Sequence, residues 1–439
     1  MHLLLSLVLL QDPSASRFDV SGGATAQIQA GRAPLNPGLS PTPALLAVLT
    51  PVARLHWAAR ARNQTAVLSY SPRLLFRWPN LLRLNRPLLL HQIGLQYARG
   101  LTPTWSMVTG IASNVGELDY TTAQQVFGDQ QGNLPDASVT SYASVGANVG
   151  FTGLVSPIHR LGFGIGADFR TPYGESAQTD DPNSQALLPQ QVSGSGTISH
   201  GYLVRSTDTL TATLTGQYVD FDNRGASYIV SGTYGWAHQL DSRLTSNIQA
   251  GLFLSQQTRE PEGFEQRVVG GTPIRPVFSA GLQGRLYNRA RLRITGNFGV
   301  SSSAFLDSVA GEVVPRAGAS SGVTFFVPPS WTAGIQANFF TVATLQPRDF
   351  GDDANASQQQ ETVLSFRTPV SYQFRNNSYA LEFGSIVSAR GPHLRAGDFQ
   401  FRQLEVWGYI AVAFEFATGH LRGRNSGGGG STVSGGSVN

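Results

Sequence analysis

Arginine has the most chemistry to offer in this sequence. The chain has no lysine, so all 31 of its basic residues are arginines. A guanidinium stays charged at any working pH and grips carboxylate or phosphate in a planar, two-pronged geometry. In stretches that alternate apolar and polar residues, one face collects Arg54, Arg60, Arg73, Arg77, Arg170, Arg285, Arg291, Arg293, Arg367, Arg390 and Arg402. Fewer acids share that face: Asp168, Glu382, Glu405 and Glu415. Two readings follow. The arginines pair with carboxylates and pack a solvated wall, or they form a basic channel that favours anions, as rings of arginine or lysine do.

Other chemistry is poorly represented. Gly162-Phe-Gly-Ile-Gly166 brushes against a dinucleotide fingerprint, but that motif must close a strand and open a helix. Here the alternation runs through the glycines into Asp168 and Arg170. The eight histidines are scattered, with no pair at helical spacing beside a carboxylate. There is no cysteine, hence no disulfide framework and no thiolate metal site. No nucleophile-and-base signature is present, so the expectation is a non-enzyme with no metal and no cofactor. A net charge of +4, with no concentrated basic segment, argues against nucleic acid as a partner.

The elements that carry the arginines are strands. In Leu364–Phe374 one face shows Leu364, Phe366, Val370, Tyr372 and Phe374, and the other shows Ser365, Arg367, Ser371 and Gln373. That is period two, over the ~9–11 residues a tilted membrane strand needs. The pattern recurs in Leu161–Arg170, Thr209–Phe221 and Arg291–Ser301. Tight turns are expected at Ala61–Asn63, Leu101–Pro103, Ser156–Ile158, Ser206–Asp208, Leu240–Ser242, Asn288–Arg289, Pro328–Ser330 and Asn376–Asn377. Longer polar stretches separate the hairpins: Gly116–Ser138, Pro172–Gln191, Gln257–Arg275, Ser303–Ala317 and Gln346–Gln360, with a short exception at Asp222–Gly225. Short turns on one side and long loops on the other are the outer-membrane arrangement, periplasmic and extracellular respectively.

Eight hairpins, a C-terminal strand in Phe399–Phe416 and a first strand at Ala24–Ala30 predict an all-β fold. It is a single transmembrane antiparallel β-barrel of about 18 strands, with 16 as the alternative. Composition agrees. Only 13% of residues are charged, against the ~25% of soluble domains. Trp57, Trp78, Trp105, Trp236, Trp331, Tyr97, Tyr202 and Tyr228 fall mostly near strand ends, where membrane-interface girdles lie. A soluble all-β protein is the rival fold, but the hairpins share no blade motif of fixed length.

Residues 1–15 read as a secretory signal, with the apolar run Leu3–Leu10 and small residues near Ser14-Ala15-Ser16. Residues 16–22 read as a lead-in, 23–419 as the barrel, and 420–439 as a disordered Gly/Ser-rich tail. Tyr409-Ile-Ala-Val-Ala-Phe-Glu-Phe416 resembles the outer-membrane sorting signal, with Tyr409, Ala411, Phe414 and Phe416 at its key positions and alanine where glycine is usual. The barrel assembly machinery is the partner this implies. Most remaining acids lie in the long loops, as a solvated surface or as a rim for divalent ions that bridge lipopolysaccharide. No spacing there matches a calcium loop.

The span Ala24–Phe416 resembles large outer-membrane porins in organisation. Leu68-Ser-Tyr-Ser-Pro-Arg-Leu-Leu-Phe-Arg-Trp78, together with low charge and missing lysine, resembles barrels of myxobacteria and their relatives. Size, strand count and the arginine-bearing face are similar to eighteen-stranded polysaccharide-export porins of the alginate-exporter kind. That resemblance implies passage of an anionic polymer through the outer membrane of a Gram-negative cell, fed by a periplasmic partner. The expectation is an outer-membrane pore for an anionic solute or exported polysaccharide. Its pore-lining candidates are Arg54, Arg73, Arg77, Asp168, Arg170, Arg285, Arg291, Arg293, Arg367, Glu382, Arg390, Arg402 and Glu405. The alternatives are a non-conducting structural or adhesive barrel and a barrel-borne hydrolase.

Overall fold

The computed structural model describes residues 16–33, 42–59, 63–78, 87–119, 139–173, 190–222, 225–259, 274–307, 312–344, 359–374, 379–391, 394–395, 398–399 and 403–417. In chain order the strands are β1 (Ser16–Ala33), β2 (Thr42–Ala59), β3 (Gln64–Trp78), β4 (Leu88–Gly100), β5 (Trp105–Asp119), β6 (Val139–Ser156) and β7 (His159–Pro172). There follow β8 (Gln191–Arg205), β9 (Asp208–Phe221), β10 (Gly225–Gln239), β11 (Leu244–Arg259), β12 (Ile274–Arg289) and β13 (Leu292–Asp307). The last are β14 (Glu312–Val327), β15 (Trp331–Thr344), β16 (Gln359–Gln373), β17 (Tyr379–Gly391), the two-residue strands β18 (Leu394–Arg395) and β19 (Asp398–Phe399), and β20 (Gln403–Ala417).

All strands but β18 and β19 form one eighteen-stranded antiparallel sheet in which each pairs with its chain neighbours. The sheet closes on itself. β1 pairs with β2 along Ser16–Ala33 and with β20 along Ser21–Arg32. Closure leaves no edge, so every backbone amide and carbonyl within the wall has a neighbouring strand to bond.

Residues directly opposite in an antiparallel ladder share a face. Phe18 faces Trp57 and Val20 faces Leu55 in the β1–β2 register, and these side chains point outward. Followed around the wall, the same face carries Leu68, Ile93, Phe163, Ile165, Ile198, Leu214, Leu252, Phe298, Ile335, Phe366 and Ile410, all solvent-exposed. Ile165 and Ile198 stand 69% and 61% exposed. A continuous apolar exterior of this kind is stable only against lipid, and transmembrane barrels wear it as a band. The protein is therefore an outer-membrane β-barrel.

The aromatics expected in the girdles lie on this exterior near strand ends. Trp105 packs against Phe163, and Trp331 against Tyr372. His159 stacks on His200 and on Tyr202. Trp236 and His238 both bond Asp208.

Some boundaries differ from the sequence reading. β1 begins at Ser16 rather than Ala24, so residues 16–22 continue the first strand. Its glycines Gly22 and Gly23 hide an alternation that the partner strands enforce. The β12–β13 turn falls at Ala290–Arg291, not at Asn288–Arg289. A bulge between Arg285 and Tyr287 inserts one residue and carries β12 on to Arg289. The expected turn at Asn376–Asn377, the signal segment and the tail lie outside the described residues.

Candidate functional site: the inner wall

The face opposite the apolar exterior changes character along the barrel. Toward the short turns it is polar and open. Arg54, Gln96, Asn148, Asn247, Gln283, Arg285, Arg293 and Asn297 are all exposed there, and Asn338 at mid-strand and Ser195 nearer the long-loop end of β8 are exposed as well. On β7 to β9 it is a track of small residues, with Gly162, Gly164 and Gly166 beside Ser195, Thr197 and Ser199, and these beside Thr213 and Thr215. Toward the long loops it turns apolar and buried. Ala44, Leu46, Leu75, Leu88 and Trp407 form one cluster, with Val48 and Ile386 against it.

The register places the candidate residues as follows. Arg54 stands opposite Ser21, on the same row face as the Ser21–His56 hydrogen bond of 2.9 Å. Arg285 stands opposite Thr295, and Arg293 opposite Phe326. Arg291, expected on the inner face, lies in the β12–β13 turn, exposed at the short-turn rim, because the bulge displaces the turn. Arg77 is opposite Leu46 and Arg390 opposite Val363. Arg60 and Arg402 lie outside the described residues. Glu405 accepts from the Trp407 Nε1–H at 3.4 Å.

Two groups of candidates come together. The first sits in the long-loop half. Arg73 is opposite Leu90, Leu90 opposite Gly116, and Gly116 opposite Tyr142, so one row joins β3 to β6. Gly116, at φ 149°, carries no side chain between Leu90 and Tyr142. Tyr142 is within electrostatic reach of Arg170, Arg73 and Asp168. Arg170 is opposite Ser144, whose Oγ accepts from Asn114 Nδ2 at 3.2 Å. The Arg170 Nε is buried without a hydrogen-bond partner. An anionic acceptor able to take two parallel N–H bonds, carboxylate or phosphate, would satisfy that nitrogen and match the charge.

The second group is closed on itself. Arg367 Nη2 donates to Glu382 Oε1 at 2.8 Å and Arg367 Nε donates to the Tyr409 hydroxyl at 3.2 Å. The Tyr409 hydroxyl donates to the same Glu382 oxygen at 2.8 Å. The guanidinium also lies over the Tyr409 ring, 5.4 Å from its centroid. This triad joins β16, β17 and β20 and cancels the charge of Arg367 internally. Tyr409, expected only as part of a sorting signal, thus has a second role inside the wall. Of the other signal residues, Phe414 and Phe416 are exposed on the exterior, and Ala411 stands opposite Gln27 on the inner face.

Sequence reasoning missed Tyr142, Asn114, Ser144 and Trp407. Tyr142 and Ser144 were readable in principle, since they share the parity of Gly146 and Asn148 on β6. Their association with Arg73 and Arg170 depends on register across five strands, which no local pattern encodes. Among the described residues no three metal-ligating side chains gather.

No known protein family and no curated protein matches the sequence. Solved structures with a similar backbone include the outer membrane protein OpdK of Pseudomonas aeruginosa, 9% identical, covering 91% of this chain and 98% of its own, at a TM-score of 0.45. OccAB4 of Acinetobacter baumannii is 11% identical, covering 92% of this chain and 100% of its own, at a TM-score of 0.45. The FrpB iron transporter from Neisseria meningitidis is 11% identical, covering 94% and 84%, at 0.48.

Proposed function

We propose that the barrel is an outer-membrane passage for anionic solutes. The observation that carries this reading is the polar, water-exposed inner wall of the short-turn half, where Arg54, Arg285 and Arg293 stand exposed. Porins of this strand number hold an aqueous channel. Charges facing such a channel bias it toward counter-ions by focusing the field between low-dielectric walls.

A second reading is favoured by the small-residue track on β7 to β9. Its glycines leave a smooth surface, and its serines and threonines offer hydroxyls to a hydroxyl-rich chain. An exported acidic polysaccharide, handed over by a periplasmic partner, would use that track together with the arginines. Lipopolysaccharide on the outside and the barrel assembly machinery during insertion complete the set of proposed partners. The reading leaves no catalytic step for the chain.

Conductance of the refolded protein in a planar bilayer under a potassium chloride gradient tests the proposal. The open steps should reverse at a potential favouring chloride. A combined Arg54→Gln, Arg285→Gln and Arg293→Gln variant should move the reversal potential toward zero. Cation preference in the unaltered protein would overturn the reading. Block of chloride current by an acidic oligosaccharide, but not by a neutral one of equal size, would favour the polymer.

A further inference from the structure

The apolar side chains that are buried are not distributed through the barrel. All but Ala226 and Ala389 lie on the inner face and in the long-loop half. They come from nine of the eighteen strands: Leu46 on β2, Leu75 on β3, Leu88 and Leu90 on β4, Tyr142 on β6, Val219 and Phe221 on β9, Phe253 on β11, Phe340 on β15, Val363 on β16, and Trp407 and Tyr409 on β20. Leu46 is fully buried, and Phe221 and Phe253 are 1% and 2% exposed. Lower on the same strands, inner-face residues are open: Gln96 below Leu90 on β4, and Asn247 below Phe253 on β11.

The primary sequence carries the same boundary. On seven of the strands that enter this zone, strict alternation gives way to apolar neighbours on both faces: Leu45-Leu46, Leu74-Leu75, Leu88-Leu89-Leu90, Leu252-Phe253-Leu254, Phe339-Phe340, Val363-Leu364 and Val406-Trp407. A strand with one face in lipid and the other in water has no use for such a run. Continuous apolar runs belong to strands buried on both sides. Opposite parts of the wall also approach each other, since β10 and β14 come within 8 Å although three strands separate them.

We infer that these residues form a hydrophobic collar that seals the extracellular half of the lumen in this state, above a water-filled periplasmic vestibule. The inference rests on the passage reading for its functional sense: the collar is the element that must open for a solute to pass, and apolar constrictions gate by excluding water. Arg73 and Tyr142 lie at its level, each 8% exposed. The ring therefore carries one guanidinium and one phenol in the same row as Leu90.

The chain is free of cysteine, which makes the test direct. Single cysteines replace two residues of each of two strands, Leu90→Cys and Gln96→Cys on β4, Phe253→Cys and Asn247→Cys on β11. Each full-length protein is refolded into detergent micelles and exposed to a charged, membrane-impermeant thiol reagent. Labelling of the same sample in urea gives the total, and heat-modifiable gel mobility confirms folding. The Gln96 and Asn247 positions should label freely, and the Leu90 and Phe253 positions roughly tenfold more slowly or worse, since a buried thiol reacts only on local opening. Equal labelling of upper and lower positions in folded protein would overturn the collar. A Phe253→Ser variant supplies a second readout and should raise the open fraction in the planar bilayer. If labelling follows the expected pattern while no variant ever conducts, the collar stands and the passage reading falls.

Discussion

At the residue scale, the Arg367–Glu382–Tyr409 triad separates two roles that an arginine on an inner wall can play. Arg367 spends its charge on a neighbour, and Arg54, Arg285 and Arg293 present theirs to water. Glu382→Ala therefore does two things at once. It removes a charge-assisted hydrogen-bond partner from Arg367 and Tyr409, costing about 1.5–3 kcal/mol of folding stability. It also releases one positive charge into the lumen. Urea titration of the barrel in lipid vesicles reads the first effect, and a reversal potential shifted further toward chloride reads the second. Tyr409→Phe should show the stability loss without the selectivity shift, because it removes no charge. The position of Arg367 was legible in the strict alternation at Ser365-Phe-Arg367, whereas Arg291, at the start of a stretch that alternates as well, falls in the turn because of the bulge. The division of the arginines into paired and open was not legible, because Glu382 lies fifteen residues from Arg367 and meets it only through the β16–β17 register.

At the scale of the element, hairpins were the most legible feature and their turns show why. In the β10–β11 turn the Asp241 carboxylate accepts from the backbone N–H of Arg243 at 2.6 Å and of Leu244 at 2.7 Å. Both bonds, Arg243 first, hold the carboxyl below its ordinary pKa, and the nearby Arg243 charge adds to them. A depressed folded-state pKa means the contribution is present above the unfolded carboxylate range and is lost as pH falls through the folded value. Hydrogen exchange at the Arg243 and Leu244 amides should then accelerate relative to other turns on acidification below about pH 4, the unfolded carboxylate value. Asp241→Asn should remove that pH dependence, because an amide oxygen accepts without titrating. The β12–β13 hairpin shows the limit of such reading. Asn288 is a good turn former, yet the bulge after Arg285 moves the turn to Ala290–Arg291, and bulges leave little trace in composition. The exterior of each strand follows a simpler rule. Ile165→Arg, at the most exposed apolar side chain of β7, should cost about 2–4 kcal/mol in bilayer refolding if it lies near the midplane. Gly164→Ser, its neighbour on the inner track, should cost far less.

At the scale of the whole molecule, the fold depends on a seam between the two ends of the barrel. Ser21–Arg32 of β1 lies against Val406–Ala417 of β20, and only this pairing turns a sheet into a closed wall. The seam was the least legible part of the barrel, since the segment around Ala24–Ala30 is short of large apolar residues. Its glycines explain that weakness. A Cβ on Gly23 would sit 2.2 Å from the Phe414 carbonyl oxygen, and one on Gly31 2.0 Å from that of Val406. The two strands approach so closely that β1 has to be small where it touches β20. Some glycines of the wall are not required for fit: a Cβ on Gly194 or Gly216 would meet nothing within 4 Å, whereas Gly116 and Gly251 are as closely approached by a neighbouring backbone as the seam glycines. A Gly23→Ala, Gly31→Ala double variant should therefore open the seam and expose two unpaired strand edges, which lipid does not tolerate. The fraction that refolds into vesicles as the heat-modifiable species should fall sharply. Gly194→Ala with Gly216→Ala, matched in number and chemistry, should refold as the unaltered protein does. If both pairs refold equally well, β1 is not the strand that closes the barrel. Closure would then have to fall to β2 against β20, one strand short of the even number that puts both ends on the periplasmic side.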